Sequence, residues 1–384
     1  MDIKRIDIID YINGYSVSEQ NSDIIKRELY DLYSIENDEN KKYVIDINVD
    51  SIVSENKKNE IIYNVRKEKL KKLKLLELPE QRSPQWYAMR KEKLTASSLA
   101  SAIGKCHFTT REELILSKIE DKPYESNPIT EWGVKYEDIA ILFYEELYNV
   151  NVIDFGLIPH PTFKAFGASP DGICDDTGND EYVSRMVEIK CPPKRKFTKT
   201  CPPHYLMQVQ GQLEVCDLDH CDFFQVKIEE YENYEEYEKD IFVNDDQIIH
   251  GRTYLNYPKG VTVSYRKKDE LKLTYLYPSL NMTNEDYHEW IKEKKIEIIN
   301  NGDEYVESKW WKITRYECTL IERDYNWWNE NVEHILKFYS DMEDCKRNPE
   351  KLAELKATIA ESKKRSSKKE IKVDDFALIS DDED

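Results

Sequence analysis

The sequence lacks the marks of several protein classes. None of its eight cysteines belongs to a Cys-x-x-Cys pair and its seven histidines are scattered, which argues against a zinc or iron–sulfur site. Cysteines without pairing patterns indicate a reducing compartment. The first residues are charged and carry no apolar signal-peptide segment, and no apolar run is long enough to span a bilayer. We therefore expect an intracellular protein that is not secreted and has no membrane partner.

An excess of positive charge is also missing, since the net charge is −20. Such a value is unusual for a protein that binds nucleic acid, but the charge is unevenly distributed. Residues 85–210 carry 15 Lys/Arg and 18 Asp/Glu, whereas residues 217–246 carry 12 acidic residues and two lysines. A locally basic groove is therefore compatible with an acidic outer surface that repels nonspecific polyanions.

The most informative pattern that is present runs from Ser169-Pro170-Asp171-Gly172 to Glu188-Ile189-Lys190. Alternate residues of a strand share a face, so Glu188 and Lys190 project side by side if 186–190 is a strand. Asp171 joins them if the turn-rich segment 175–180 folds the chain back. Two carboxylates suit a hard cation such as Mg²⁺, and a lysine suits a phosphate or an attacking water. Without their apolar surroundings, these residues would instead be read as solvated strand charges.

Two predicted helices flank this pattern. Apolar residues recur at helical spacing over 129–150 and over 204–216. Glu137 lies beside the first apolar stripe, and Gln208 and Gln212 share a separate face of the second helix, four residues apart. Each of these three residues is also compatible with an ordinary solvated position.

A further group of residues is suited to binding an anion. Arg90 precedes Thr95-Ala96-Ser97, which is typical of a helix N-cap followed by a helix over 98–103. The segment 190–199 contains five basic residues and no acidic residue, as expected for a phosphate contact or for a solvated loop. A capping serine next to a surface arginine is the alternative interpretation of the first group.

The order of these motifs resembles the YqaJ-type viral recombinase family, which includes lambda exonuclease and belongs to the PD-(D/E)xK nuclease superfamily. The resemblance covers roughly residues 83–230. It rests on five blocks in the family's order, namely Trp86…Arg90…Thr95-Ala96-Ser97, Gly133…Glu137, Ser169-Pro170-Asp171-Gly172, Glu188-Ile189-Lys190-Cys191-Pro192 and Tyr205…Gln208-Val209-Gln210. It implies an α/β protein with a restriction-endonuclease-like core, in which helices flank a mixed central sheet.

The resemblance also implies roles for individual residues. Asp171, Glu188 and the carbonyl of Ile189 match the metal ligands, and Lys190 matches the catalytic lysine. Glu137 and Gln208 match an acidic helix residue and a residue that orients water. The positions expected to hold a 5′-terminal phosphate are Arg90, Ser97 and Ser169, with a further basic residue at either Arg195 or Lys196. The implied cofactor is Mg²⁺, with Mn²⁺ as a substitute.

The implied function is that of a Mg²⁺-dependent 5′-to-3′ exonuclease acting on duplex DNA with free ends. Its expected partners are DNA, a single-strand annealing protein and further copies of the chain. The residue usage suggests an AT-rich viral genome, hence a viral protein acting in the host cytoplasm or nucleus. Two alternatives are a structure-specific endonuclease, because the same metal core serves both reactions, and a non-catalytic DNA-binding protein.

The chain is expected to divide into an N-terminal extension over 1–79, a nuclease domain over 83–345 and a charged flexible tail over 355–384. Within the extension, 60–78 has the pattern of a basic amphipathic helix. An insertion over about 231–310 departs from the compact family pattern. For the tail, the alternatives are a nuclear-localisation-like patch, a DNA contact or a docking peptide.

Overall fold

The structure is a computed structural model that describes residues 4–35, 38–120, 127–194, 197 and 199–374, with side chains as far as residue 364. It divides into two compact units. The first comprises residues 1–75 and 179–184, and the second comprises residues 76–178 and 185–384. No helix in the described ranges has both the length and the apolar character needed to cross a membrane.

The described residues form twelve α-helices and twelve strands. The helices are α1 (Arg5–Ile12), α2 (Ser22–Leu32), α3 (Glu39–Lys74), α4 (Pro84–Glu92), α5 (Leu99–Ala102), α6 (Arg111–Ile119), α7 (Pro128–Tyr148), α8 (Pro203–Cys216), α9 (Tyr234–Lys239), α10 (Asn284–Asn300), α11 (Tyr325–Arg347) and α12 (Pro349–Asp374). The strands are β1 (Leu94–Thr95), β2 (Val150–Ile153), β3 (Ile158–Pro159), β4 (Phe166–Ala168), β5 (Gly172–Gly178), β6 (Met186–Lys190), β7 (His220–Glu230), β8 (Phe242–Asn244), β9 (Gln247–Ile249), β10 (Lys259–Arg266), β11 (Leu273–Leu276) and β12 (Glu304–Glu322).

The first unit is a helical body built from α1, α2 and α3. Its core consists of buried aliphatic residues from the three helices, for example Ile12, Leu29 and Val49. Residues 60–74 of the basic amphipathic helix predicted over 60–78 belong to α3, which begins 21 residues earlier, at Glu39, and ends at Lys74. Of the five apolar residues that define the predicted stripe, Leu70 and Leu73 are buried, whereas Ile62, Val65 and Leu76 are exposed. The apolar pattern therefore identified only part of the buried face.

The second unit is centred on a seven-stranded mixed sheet in the order β11-β10-β12-β7-β6-β5-β2. Strands β6 and β7 are parallel, while the other neighbours are antiparallel. All four residues of 186–189 are buried, as the apolar residues Met186, Val187 and Ile189 predicted for this strand. A smaller sheet in the order β1-β4-β3 lies alongside, and β8 and β9 form a hairpin. An α/β fold with a mixed central sheet flanked by helices, as predicted, is confirmed.

The insertion over 231–310 extends the main sheet. Strand β10 pairs with the first half of the long strand β12, and β11 adds the outermost strand. A separate aromatic core, including Tyr237, Tyr287 and Trp310, packs beneath these strands with α10. The insertion is therefore continuous with the sheet that carries residues 186–190.

Two local predictions differ from the structure. The helix expected over 98–103 is a 3₁₀ turn over Ala96–Ser98 followed by the one-turn helix α5, so Ser97 is not a helix N-cap. Of the tail predicted over 355–384, the structure describes residues up to 374 as the continuation of α12, and residues 375–384 lie outside the described residues.

Candidate active site

Antiparallel pairing brings two of the predicted carboxylates together. Gly172 of β5 is opposite Val187 of β6. One further step in this register places Asp171 opposite Glu188. The backbone NH of Ile189 donates a hydrogen bond of 2.7 Å to Asp171 Oδ2. Asp171 and Glu188 therefore lie at the same edge of the sheet, as the turn-rich segment between them predicted.

Close packing fixes the turn that carries Asp171. A Cβ atom at Gly172 would lie 2.1 Å from Val152 Cγ1, so only glycine allows β5 to approach β2 this closely. The side-chain amide of Gln81 donates hydrogen bonds to Asp154 Oδ1 (2.7 Å) and to the carbonyl oxygen of Pro170 (3.2 Å). The Pro-Asp-Gly turn is thus held from both sides, which limits the positions available to the Asp171 carboxylate.

Glu188 is the centre of the cluster and is completely buried. Its Oε1 accepts hydrogen bonds from Lys190 Nζ and from Gln208 Nε2, the latter at 2.6 Å. Its Oε2 accepts a hydrogen bond of 2.7 Å from Gln212 Nε2. Lys190 Nζ also donates to the carbonyl oxygen of Ile189 at 3.0 Å. The structure therefore brings together the predicted residues Asp171, Glu188, Lys190 and Gln208.

The protonation of this cluster follows from its burial and its charges. Burial raises the pKa of Asp171 well above its usual value, and the neighbouring Glu188 carboxylate raises it further. Burial disfavours the charged form of Lys190, but the Glu188 and Asp171 carboxylates outweigh burial and raise the Lys190 pKa. Lys190 thus carries its proton in this arrangement, and an added cation would favour ionised Asp171.

Glu137, on α7, has a different immediate partner. Its Oε1 lies 3.1 Å from a guanidinium nitrogen of Arg82. Burial raises the pKa of Glu137, and Arg82 partly offsets this increase. Glu137 is within electrostatic range of Glu188 and Lys190. It is therefore placed beside the cluster, although its hydrogen bond is to Arg82.

A second cluster contains the predicted phosphate-binding residues. Arg90 donates a hydrogen bond of 3.2 Å to Ser97 Oγ, and its guanidinium lies 4.4 Å from the ring centroid of Trp86. The Trp86 indole NH donates a hydrogen bond of 3.0 Å to Ser169 Oγ. Trp86 therefore links Ser169 to Arg90, and Arg90 in turn contacts Ser97. Because Ser169 is two residues before Asp171, this cluster adjoins the carboxylates.

Comparison with known proteins matches part of this chain to a protein family. Residues 85–219 match the family described as the YqaJ-like viral recombinase domain. This segment is therefore similar to the YqaJ-like viral recombinase domain. Both carboxylates, Lys190 and the Trp86-linked cluster lie within it, as the motif order predicted.

The relatives of the chain are viral proteins. It is 30% identical over 321 residues to an uncharacterized protein, R354, of Acanthamoeba polyphaga mimivirus, covering 76% of this chain and 58% of that protein. It is 26% identical over 158 residues to a protein of African swine fever virus, covering 35% of this chain and 46% of that protein. The chain thus spans about half the length of these relatives. A solved alkaline exonuclease from Laribacter hongkongensis is 23% identical, with a TM-score of 0.37, over 74% of this chain and 99% of that one.

Some residues near the YqaJ-like site were not predicted from sequence. Gln212 contacts Glu188, although its spacing of four residues from Gln208 was a usable signal. Lys118, on α6, donates a hydrogen bond to the carbonyl oxygen of Arg90. Burial, together with repulsion from the Arg90 charge, lowers the pKa of Lys118 to about 8. Nothing in the local sequence marks Lys118. The predicted residues Arg195 and Lys196 lie outside the described residues.

The oxygen atoms available at this site suit a hard divalent cation that is bound by few protein ligands. Asp171 and Glu188 supply carboxylate oxygens, and the carbonyl oxygen of Ile189 is adjacent. Among the described residues no group of three or more His, Cys, Asp or Glu is arranged to hold a metal ion. Magnesium commonly uses one or two carboxylates and retains several waters, so two carboxylates suffice. The raised pKa of Asp171 is the response expected when two buried carboxylates share a site without a cation.

Proposed function

We propose that the YqaJ-like domain is a metal-dependent DNA nuclease that degrades linear duplex DNA as a 5′-to-3′ exonuclease. The observation that carries the proposal is the adjacency of two clusters with complementary chemistry. One holds two buried carboxylates with a protonated lysine, and the other holds an arginine with two serine hydroxyls. The first suits phosphodiester hydrolysis, and the second suits a terminal phosphate.

In this proposal, Asp171 and Glu188 hold Mg²⁺, with the carbonyl of Ile189 as a further donor. When bound, the cation supplies Lewis-acid chemistry and lowers the pKa of a coordinated water. Lys190 keeps its proton on Nζ and stabilises the negative charge that develops on the scissile phosphate. Gln208 donates a hydrogen bond to Glu188, and in this proposal its amide also orients a water molecule.

By holding the terminal phosphate, an exonuclease places the next phosphodiester bond at its metal site. Arg90 supplies a charge-assisted hydrogen bond, and the hydroxyl groups of Ser97 and Ser169 donate to further phosphate oxygens. Ser169 Oγ accepts a hydrogen bond from the Trp86 indole NH, so the Ser169 hydroxyl can donate its own hydrogen to the terminal phosphate. An endonuclease has no use for such a site, so the exonuclease interpretation is preferred over the endonuclease alternative.

The experiment compares cleavage of linear duplex DNA by the wild type, by Glu188→Gln and by a control, Glu214→Gln. Glu214 lies on α8 and pairs with Arg323 at 2.7 Å, away from the carboxylate cluster. We expect Mg²⁺-dependent cleavage by the wild type, none by Glu188→Gln, and near-normal cleavage with reduced thermal stability for Glu214→Gln. Normal cleavage by Glu188→Gln would show that the metal site is assigned to the wrong residues.

A further inference from the structure

Gln212 is buried next to the proposed metal ligand Glu188. It lies one turn after Gln208 on α8 and retains 1% of its accessible surface. Its Nε2 donates to Glu188 Oε2 at 2.7 Å and lies 3.5 Å from the carbonyl oxygen of Ser169. Its own Oε1 is buried and has no hydrogen-bond partner in the part of the chain that the structure describes.

The two carboxylate oxygens of Glu188 differ in the number of hydrogen bonds that they accept. A carboxylate oxygen has two acceptor sites. At Oε1, Lys190 and Gln208 occupy both sites, whereas at Oε2 Gln212 occupies one and leaves one. The remaining site on Oε2 is therefore the one available to a cation without loss of an existing hydrogen bond. Gln212 limits the rotation of the carboxylate, because it holds Oε2 while Lys190 and Gln208 hold Oε1.

The orientation of the Gln212 amide is dictated by Glu188. The reversed amide would place its carbonyl oxygen against the Glu188 carboxylate, where two acceptors repel each other. The cost of the observed orientation is a buried carbonyl oxygen without a partner. Native structures keep few such atoms, and each one calls for an explanation such as a functional role. An apolar side chain of the same shape would avoid this cost but would leave the buried Glu188 Oε2 without its hydrogen bond, so the contact with Glu188 accounts for glutamine at this position.

We propose that Gln212 is a positioning residue that orients Glu188 for divalent-cation binding. This inference rests on the proposed function, in which Glu188 is a metal ligand. Residues that orient metal ligands typically contribute about 10–100-fold to metal affinity. Gln212→Met keeps the unbranched shape of the side chain but removes the amide. We therefore expect this substitution to weaken Mg²⁺ and Mn²⁺ binding by about 10–100-fold.

Gln210 provides a matched control on the same helix. It is 5% exposed and hydrogen-bonds to the carbonyl oxygen of Glu322 (2.9 Å) and the backbone NH of Asp324 (2.8 Å), with no hydrogen bond to Glu188. Gln210→Met therefore removes a buried amide of equal size from a purely structural position. It should lower the melting temperature and leave cation affinity unchanged.

The test measures Mn²⁺ and Mg²⁺ binding to the metal-free full chain by titration calorimetry, together with melting temperatures without metal. For Gln212→Met we expect the weakened binding, cleavage restored at high Mg²⁺, and a metal-free melting temperature no lower than that of Gln210→Met, because both variants lose buried hydrogen bonds. Wild-type affinity in Gln212→Met, or failure of this variant to fold, would overturn the inference. Glu188→Gln separates the two claims: if it binds cations like the wild type, the proposed metal site itself is wrong.

Discussion

Replacement of Arg90 by glutamine should selectively reduce the preference for a 5′-phosphorylated DNA end. The Arg90 guanidinium is held at 3.2 Å from Ser97 Oγ and stacks on Trp86 at 4.4 Å, so it is oriented before DNA binds. A hydrogen bond to a charged group contributes about 1.5–3 kcal/mol. Since 1.4 kcal/mol corresponds to a factor of ten, the preference should fall by roughly 10–150-fold.

The assay measures initial degradation rates of matched linear duplexes that carry a 5′-phosphate or a 5′-hydroxyl. The wild type should degrade the phosphorylated duplex faster, and Arg90→Gln should degrade both at the slower, metal-dependent rate. Arg111→Gln is the control, because Arg111 also faces an aromatic ring, Phe338 at 5.5 Å, and pairs with Asp341. A wild type that treats both ends alike, or an Arg90→Gln variant that retains the preference, would refute the anchoring role.

Three further predictions follow from the same contacts. Lys190→Ala should bind DNA and metal but lose rate by about 10²–10⁴-fold in single-turnover cleavage, whereas a structural lysine would mainly lower the melting temperature. Because burial raises the pKa of Asp171, the metal-free protein should lose stability as the pH rises through that pKa, and Asp171→Asn should remove this loss. Binding of Mg²⁺ should release protons, which calorimetry in buffers of different ionisation enthalpy would detect. Gly211→Ala should destabilise the fold by about 1–3 kcal/mol in urea unfolding, because its Cβ would lie 2.3 Å from the buried Leu99.

The sequence predicted those parts of the site that depend on local periodicity. The strand over 186–190 places Glu188 and Lys190 in contact, as alternation along a strand requires. The face shared by Gln208 and Gln212 is the face of α8 that meets Glu188. In both cases the spacing along the chain fixes the geometry, and the apolar neighbours fix which side is buried.

Contacts between distant segments were not predictable in this way. Arg82 pairs with Glu137, and Trp86 bonds to Ser169 across 83 residues. No local pattern encodes which strand accepts β10, so the sequence showed an insertion within the nuclease domain but not that it extends the central sheet. The apolar stripe over 60–78 is only partly buried for a related reason, because an apolar periodicity does not show what partner is present to cover it.

The most direct test of the account uses duplex DNA labelled at one 5′ end or one 3′ end, with a closed circle of the same sequence. With purified protein and Mg²⁺, the account predicts early release of the 5′ label as mononucleotide, late release of the 3′ label and an intact circle. Nicking of the circle, or equal release of both labels, would contradict 5′-directed exonuclease action.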